Sequence, residues 1–261
     1  MSTTAATGPC GMSLRGLVSD AEWRTRVDLA AGCRLAHSFG WNHTILNHLT
    51  ARVPGEPDRF LMNPLGLLWN EITASDFLKV DFDGHCHTPS DYRPGPAGLS
   101  FHGAVLKADP RLASSFHLHP LAGVVVSALE SGLIYYSQDS LMIYEEVVYH
   151  DFEGPADEAD EGQRVARELD GKLCMIMRNH GLLTVGRDIA EAFYAMQVLV
   201  EACEVQARVM STGAAARPVP LDVCELSARK FRERRRERPF GEAAWKANRR
   251  MIERLDPSFM T

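Results

Sequence analysis

The stretch Arg111–Gly132, RLASSFHLHPLAGVVVSALESG, holds the passage from which the fold is read. Up to His119 it is short and apolar, the pattern of a buried strand. From Ala122 its apolar residues read as a buried helix closed by Gly132. Pro120 stands between them and cannot donate to a sheet ladder, so it ends the strand. In a strand, residues i and i+2 share a face, and His117 and His119 therefore present both imidazoles to one point. Imidazole binds zinc, iron, nickel and manganese, and side chains at a strand end open into a cleft. Two half-buried polar residues at a strand end would show the same spacing, which by itself does not choose.

Outward from this stretch the chain alternates its periods. Trp23, Val27, Ala30, Ala31 and Leu35 mark an amphipathic helix from Asp20 to Phe39, capped by Ser19 or Asp20 and closed by Gly40. HLTARVP and RFLMNP are two strands around the turn VPGEPD. A helical turn capped at Thr73 or Ser75 precedes a strand that ends at Asp83-Gly84. FHGAVLKADP predicts a helix, and YYSQDSLMIYEEVVYHDFEG predicts short strands. GQRVARELDG predicts a helix closed by Gly171. KLCMIMRNHGLLTVG is an apolar strand pair turning at Asn179-His180-Gly181, and Asp188 caps a long helix. The expectation is an α/β domain over residues 19–211, with helices flanking a mainly antiparallel or mixed sheet. Residues 1–18 read as a flexible tail. Residues 212–261 read as a charged helical extension, solvated or intersubunit, because Glu233 and Glu237 interrupt the basic run Arg229 to Arg238.

With 261 residues, 45% apolar, the chain can bury a substantial core, and its formal charge of -6 argues against nucleic acid and anionic membranes as partners. No apolar run reaches the roughly 18 residues of a membrane span, and the start lacks a secretory signal, so a cytoplasmic protein acting on a small molecule is expected. Six scattered cysteines without a C-x-x-C pair argue against a disulfide scaffold and a zinc ribbon.

Other histidines compete for the ligand role. His85 and His87 share the spacing of His117 and His119 but follow the turn Asp83-Gly84, which places them on an exposed hairpin. His43 and His48 read as pocket or surface residues. The third anchor is His180, at the tip of a buried strand pair before a glycine that permits a tight backbone. Three neutral histidines with open positions are a catalytic geometry, whereas structural zinc sites close with four ligands.

Taken in order, NHLTARVPG, FLMNPLG, NEITASDFLKVDFDG, FHGAVLKADP, HLHP and RNHGLLTVG resemble the class II aldolase/adducin family from about Trp23 to Met210. The resemblance implies a three-layer α/β/α sandwich and a homotetramer with active sites at subunit boundaries. It implies one divalent metal ion, zinc, manganese or iron(II), held by His117, His119 and His180. The tail containing Trp245 and ending LDPSFM is similar to that of the adducin-like branch and is expected to pack across a neighbouring subunit.

The departures from the family pattern bear on the reaction. Sugar-phosphate aldolases of the family carry an acid/base glutamate where this chain has Gly98. Their phosphate-binding turns are replaced by Leu46-Asn47 and Leu65-Gly66. A metal-dependent lyase is expected, cleaving a carbon–carbon bond of a small non-phosphorylated oxo- or hydroxy-acid through an enolate. Decarboxylation is favoured over retro-aldol cleavage, which needs a base at the start. His102, Tyr149, His150 and Glu153 are candidates for the proton donor, and Asn47, Asn63, Trp69 and Arg178 for substrate binding. Two alternatives remain open: a non-heme Fe(II) oxygenase of an aryl 2-oxo acid in secondary metabolism, and a non-catalytic adducin-like oligomeric scaffold.

Overall fold

The computed structural model describes residues 13–154 and 159–261. Most of the expected N-terminal tail, residues 1–12, lies outside the described residues. Seven strands form one sheet: β1 (His48–Val53), β2 (Glu56–Met62), β4 (Leu78–Asp81), β6 (Ser114–Leu118), β7 (Val147–His150), β8 (Cys174–Met177) and β9 (Gly181–Gly186). Their order is β4-β2-β1-β6-β9-β8-β7, antiparallel throughout except for the parallel pair β7 and β8. A separate ribbon joins β3 (Pro64–Leu65) to β5 (Arg93–Pro94).

Strand alternation places helices on both faces. On β8 and β9, Ile176 and Leu182 enter one core with Leu29, Phe116, Phe193 and Leu199, beneath α1 (Asp20–Ser38), α3 (Leu121–Ser127) and α5 (Ile189–Ser211). Met175, Met177, Leu183 and Val185 enter the other with Phe101, Val105, Val165 and Leu169, beneath α2 (Pro96–Ala108) and α4 (Ala159–Leu169). Both faces of β8 and β9 are therefore covered, which is why these strands read as nearly continuous apolar runs. Ser19 Oγ accepts from Glu22 N–H at 3.1 Å at the start of α1, and Asp188 Oδ1 accepts from Glu191 N–H at 2.7 Å at the start of α5.

Two local expectations are corrected. The predicted helix ending on Gly132 stops at Ser127, because Ser127 Oγ bonds back to Val124 O at 2.7 Å and the Ser127 carbonyl accepts from Asn179 N–H instead of continuing the helix. In the segment 135–154, only Val147–His150 is a strand. Asp139–Ile143 is a 3-10 turn begun by Ser137 and Ser140, whose hydroxyls bond locally in place of a ladder.

The extension forms α6 (Leu221–Glu237) and α7 (Glu242–Leu255). The final part packs on its own chain. Trp245 meets Phe193 at 5.2 Å between ring centroids, Arg249 pairs with Asp28 at 3.1 Å, and Arg34 pairs with Asp256 at 2.9 Å. Phe259 is completely buried, and Ser75 N–H donates to the carbonyl of Thr261 at 3.0 Å. Two arginines of α6 are held as well, Arg235 by Glu146 and Arg232 by Glu145.

Candidate metal centre

β6 and β9 are neighbours, and their adjoining ends carry the three histidines. His117 lies in β6 opposite Leu183, His119 just past the end of that strand, and His180 immediately before β9. The turn into β9 is made by Asn179, in the left-handed region at φ 55. Gly181 is needed for a different reason. A Cβ there would lie 2.5 Å from His119 Cδ2 and 2.7 Å from Leu118 O, so only glycine lets the His119 ring lie against the turn.

The three rings stand 4.7 to 4.8 Å apart between centroids, and one ligand nitrogen from each lies within 4.8 Å of the others. The His117 Nδ1–H donates to Leu182 O at 3.1 Å, which turns its Nε2 lone pair towards His119 Nε2, 2.9 Å away. Such a backbone bond to the far nitrogen is the usual way to fix a ligating tautomer. Burial first, and then the neighbouring imidazoles, hold His117 well below the ordinary histidine pKa and push His119 down to about 3; His180 is lowered by burial and by His150. Three neutral imidazoles with converging lone pairs fit a divalent cation and leave coordination positions open.

These histidines border a cavity of about 410 Å³ whose wall is otherwise apolar: Leu46, Leu65, Phe101, Phe152 and the segment Gly95–Ala97, together with His48. Among the described residues, no carboxylate, lysine or arginine lines it. The two leucines that replace the expected phosphate turns are thus part of the wall. A wider groove of about 500 Å³ beside α6 holds Arg111, Arg187, Arg232 and Arg235, which already pair with Asp109, Glu191, Glu145 and Glu146.

The other expected site residues do not line the cavity. His102 is fully buried behind it, with Nδ1 3.2 Å from Thr50 Oγ1. The Tyr149 hydroxyl accepts from Leu133 N–H at 2.9 Å, and the Arg178 guanidinium lies 4.3 Å from the Tyr149 ring centroid while donating to Leu129 O. His150 is clasped between Glu168 at 2.7 Å and Glu161 at 3.4 Å, and Glu153 is held by both arms of Arg164. Trp69 is completely buried, and its carbonyl accepts from Arg34 at 2.6 Å. Asn47 Oδ1 accepts from His43 N–H, and Asn63 bonds to Leu49 N–H and Asn47 O.

Two more groups of donor atoms converge among the described residues. His150, Glu153 and Glu161 form one, already tied by Arg164 and Glu168; Asp81, Asp83 and His85 form the other on the surface. Asp81 accepts from both His85 and His87 in that hairpin. Neither group opens onto the apolar cavity. His48 was legible in the sequence only as a pocket or surface residue. Its partnership with the cavity follows from the β1–β6 register, which sets it opposite His117 with ring centroids 5.5 Å apart.

The profile described as Class II Aldolase and Adducin N-terminal domain matches residues 27–207, and the chain belongs to that family. A solved aldolase II superfamily protein from Pseudomonas syringae is 37% identical, with a TM-score of 0.88 over 96% of this chain and 100% of that one. L-fuculose 1-phosphate aldolase from Glaciozyma antarctica PI12 is 27% identical, with a TM-score of 0.78 over 92% of each chain. Rat (Rattus norvegicus) alpha-adducin is 38% identical over 222 residues, 84% of this chain but 30% of its own length. The three-layer α/β/α sandwich is thus the fold of this chain and of its solved relatives. Among the described residues, no helix is long and apolar enough to cross a membrane.

Proposed function

We propose that the chain is a divalent-metal-dependent lyase that breaks a carbon–carbon bond in a small, non-phosphorylated oxo- or hydroxy-acid. The observation that carries this reading is a trihistidine centre opening onto a cavity whose described wall is apolar apart from its histidines. A metal held by His117, His119 and His180 would supply Lewis-acid stabilisation of the charge left by bond cleavage. His117 is locked by Leu182 O with its free nitrogen at the centre, and Gly181 leaves room for the ring of His119. The side chains of Leu46 and Leu65 offer a phosphate no hydrogen bond, which disfavours a sugar phosphate. Gly98 at the position of the family's acid/base glutamate favours decarboxylation over retro-aldol cleavage, since only the latter must first remove a hydroxyl proton.

A homotetramer in the cytoplasm belongs to the same reading. Exposed Leu121 and Phe152 beside the centre offer apolar surface for a second copy, and the five described cysteines are free thiols.

The test is elemental analysis of protein purified without an affinity tag, beside the His117→Ala, His180→Ala and His85→Ala variants, followed by assays for carbon dioxide and aldehyde release from 2-oxo and hydroxy acids. Metal near one equivalent, lost in the first two variants and kept in the third, is expected. Iron with oxygen consumption on an aryl 2-oxo acid would replace the lyase by an oxygenase. No metal in any form after reconstitution would leave an adducin-like scaffold.

A further inference from the structure

We propose that His48 is the substrate-contacting side chain of the cavity, and that it receives a hydroxyl or carbonyl oxygen of the acid other than those that a metal at the trihistidine centre would hold. The inference rests on the reading of the cavity as an acid-binding metal site.

The ring is buried at 7% exposure, borders the cavity, and has no hydrogen-bond partner on either nitrogen among the described residues; Nδ1 is sealed from solvent. The sealed Nδ1 is out of a ligand's reach, and Nε2, on the cavity side and without a partner among the described residues, is the atom that a ligand can bond. A Cβ added to Gly95 would lie 3.7 Å from that atom.

The surroundings hold the ring in this place. It lies between His117, stacked at 5.5 Å, and His102, edge-on at 5.7 Å. Thr50 Oγ1 gives its hydrogen to Ser115 O and so accepts from His102 Nδ1–H, which fixes the ring behind. Asn47 and Asn63 clamp the backbone on either side of His48: Asn63 Oδ1 accepts from Leu49 N–H at 2.8 Å and its amide donates to Asn47 O at 3.1 Å. The two asparagines expected to touch substrate therefore position the residue that does.

Gly98 completes the seat. A Cβ there would fall 2.0 Å from Met62 Cε and 3.0 Å from both Cγ and Cδ2 of His48. A Cβ at position 98 would have to push Met62 Cε aside and would press on the His48 ring, so glycine at 98 leaves the imidazole its place. The expected substrate class is an acid with a hydrogen-bonding oxygen besides those that a metal at the centre would hold.

The experiment uses the metal-loaded full chain and two probes that differ by one hydroxyl, lactate and glycerate of the same configuration, with affinity measured calorimetrically. Glycerate should bind about fivefold more tightly than lactate, the worth of one net hydrogen bond. His48→Leu should bring the ratio close to one while metal content and lactate affinity stay near wild type, and His48→Gln should restore part of it. Gly98→Ala, which touches no ligand, should lower the ratio by crowding His48, and it tests the proposal even if His48→Leu fails to fold. A wild-type ratio near one, or a ratio that survives in His48→Leu and Gly98→Ala, would overturn the role of His48 while leaving the metal-site reading intact. Failure of both acids to bind the loaded protein would overturn the acid-binding reading and the role of His48 together.

Discussion

Gly181→Ala reaches the proposed metal centre without removing any of its three histidines. The added Cβ would sit 2.5 Å from His119 Cδ2, 3.3 Å from His119 Nε2 and 2.7 Å from Leu118 O. Ordinary contact begins at 3.4 Å, so 3.4 less 2.5 leaves the ring 0.9 Å too close. Leu118 O belongs to backbone already engaged in the β6–β9 pairing and yields little, which leaves the imidazole to move. Metal–nitrogen distances tolerate only about 0.2 Å, so a displacement of this size weakens one of three bonds. The expected loss of metal affinity is about 10- to 100-fold, similar to disturbing an outer partner of a ligand, with about 1–3 kcal/mol of stability lost to overpacking. Competition with a chromophoric chelator gives the first quantity, and denaturant unfolding of the metal-free protein gives the second. Wild-type metal affinity in Gly181→Ala would refute the claim that the glycine exists to seat His119.

Acid should weaken the metal-free protein in a defined window. His48 and His119 have folded pKa values of about 4 and about 3, below the ordinary 6.5, because burial disfavours their charged forms. The unfolded chain therefore takes up these protons first; this contribution is constant above about pH 6.5 and is lost as pH falls towards 4 and 3. Urea midpoints measured from pH 7 to 4.5 should decline, less so in His119→Ala, and equal slopes in the two proteins would contradict the assignment. Phe259→Ala should cost about 3–5 kcal/mol, because the ring is fully enclosed in the main core. An unchanged melting temperature after deletion of residues 242–261 would show instead that the C-terminal helix is not part of the folding unit. Glu22→Gln leaves the buried Arg26 without its carboxylate partner and Lys79 with Glu56 alone, and about 3–5 kcal/mol should be lost in denaturant titration. A loss below 1 kcal/mol would mean that water reaches this network.

The sequence by itself determined what depends on near neighbours along the chain. Ser19 and Asp188 are readable as caps because a cap bonds within three residues. His117 and His119 are readable as a converging pair because a strand returns to the same face every second residue. His180 was legible through its position at the turn between two apolar strands, and the flanking of a mixed sheet by helices followed from the alternation of periods. Where local bonds compete with the pattern, the reading failed: Ser127 ends α3 early, and Ser137 and Ser140 turn an expected strand into a 3-10 turn. What only the tertiary structure decided depends on which strands lie side by side. The pairing of β1 with β6 brings His48 to His117 across 69 positions of sequence, and nothing in the spacing of either segment encodes it. The packing of α2 on that sheet then makes Gly98 a seat for His48, and the packing of α4 on β7 carries His150 towards Glu161 and Glu168 instead of the cavity. Helix and strand periods are properties of a few consecutive residues. Register, and with it the composition of a site, is set by burial over the whole chain.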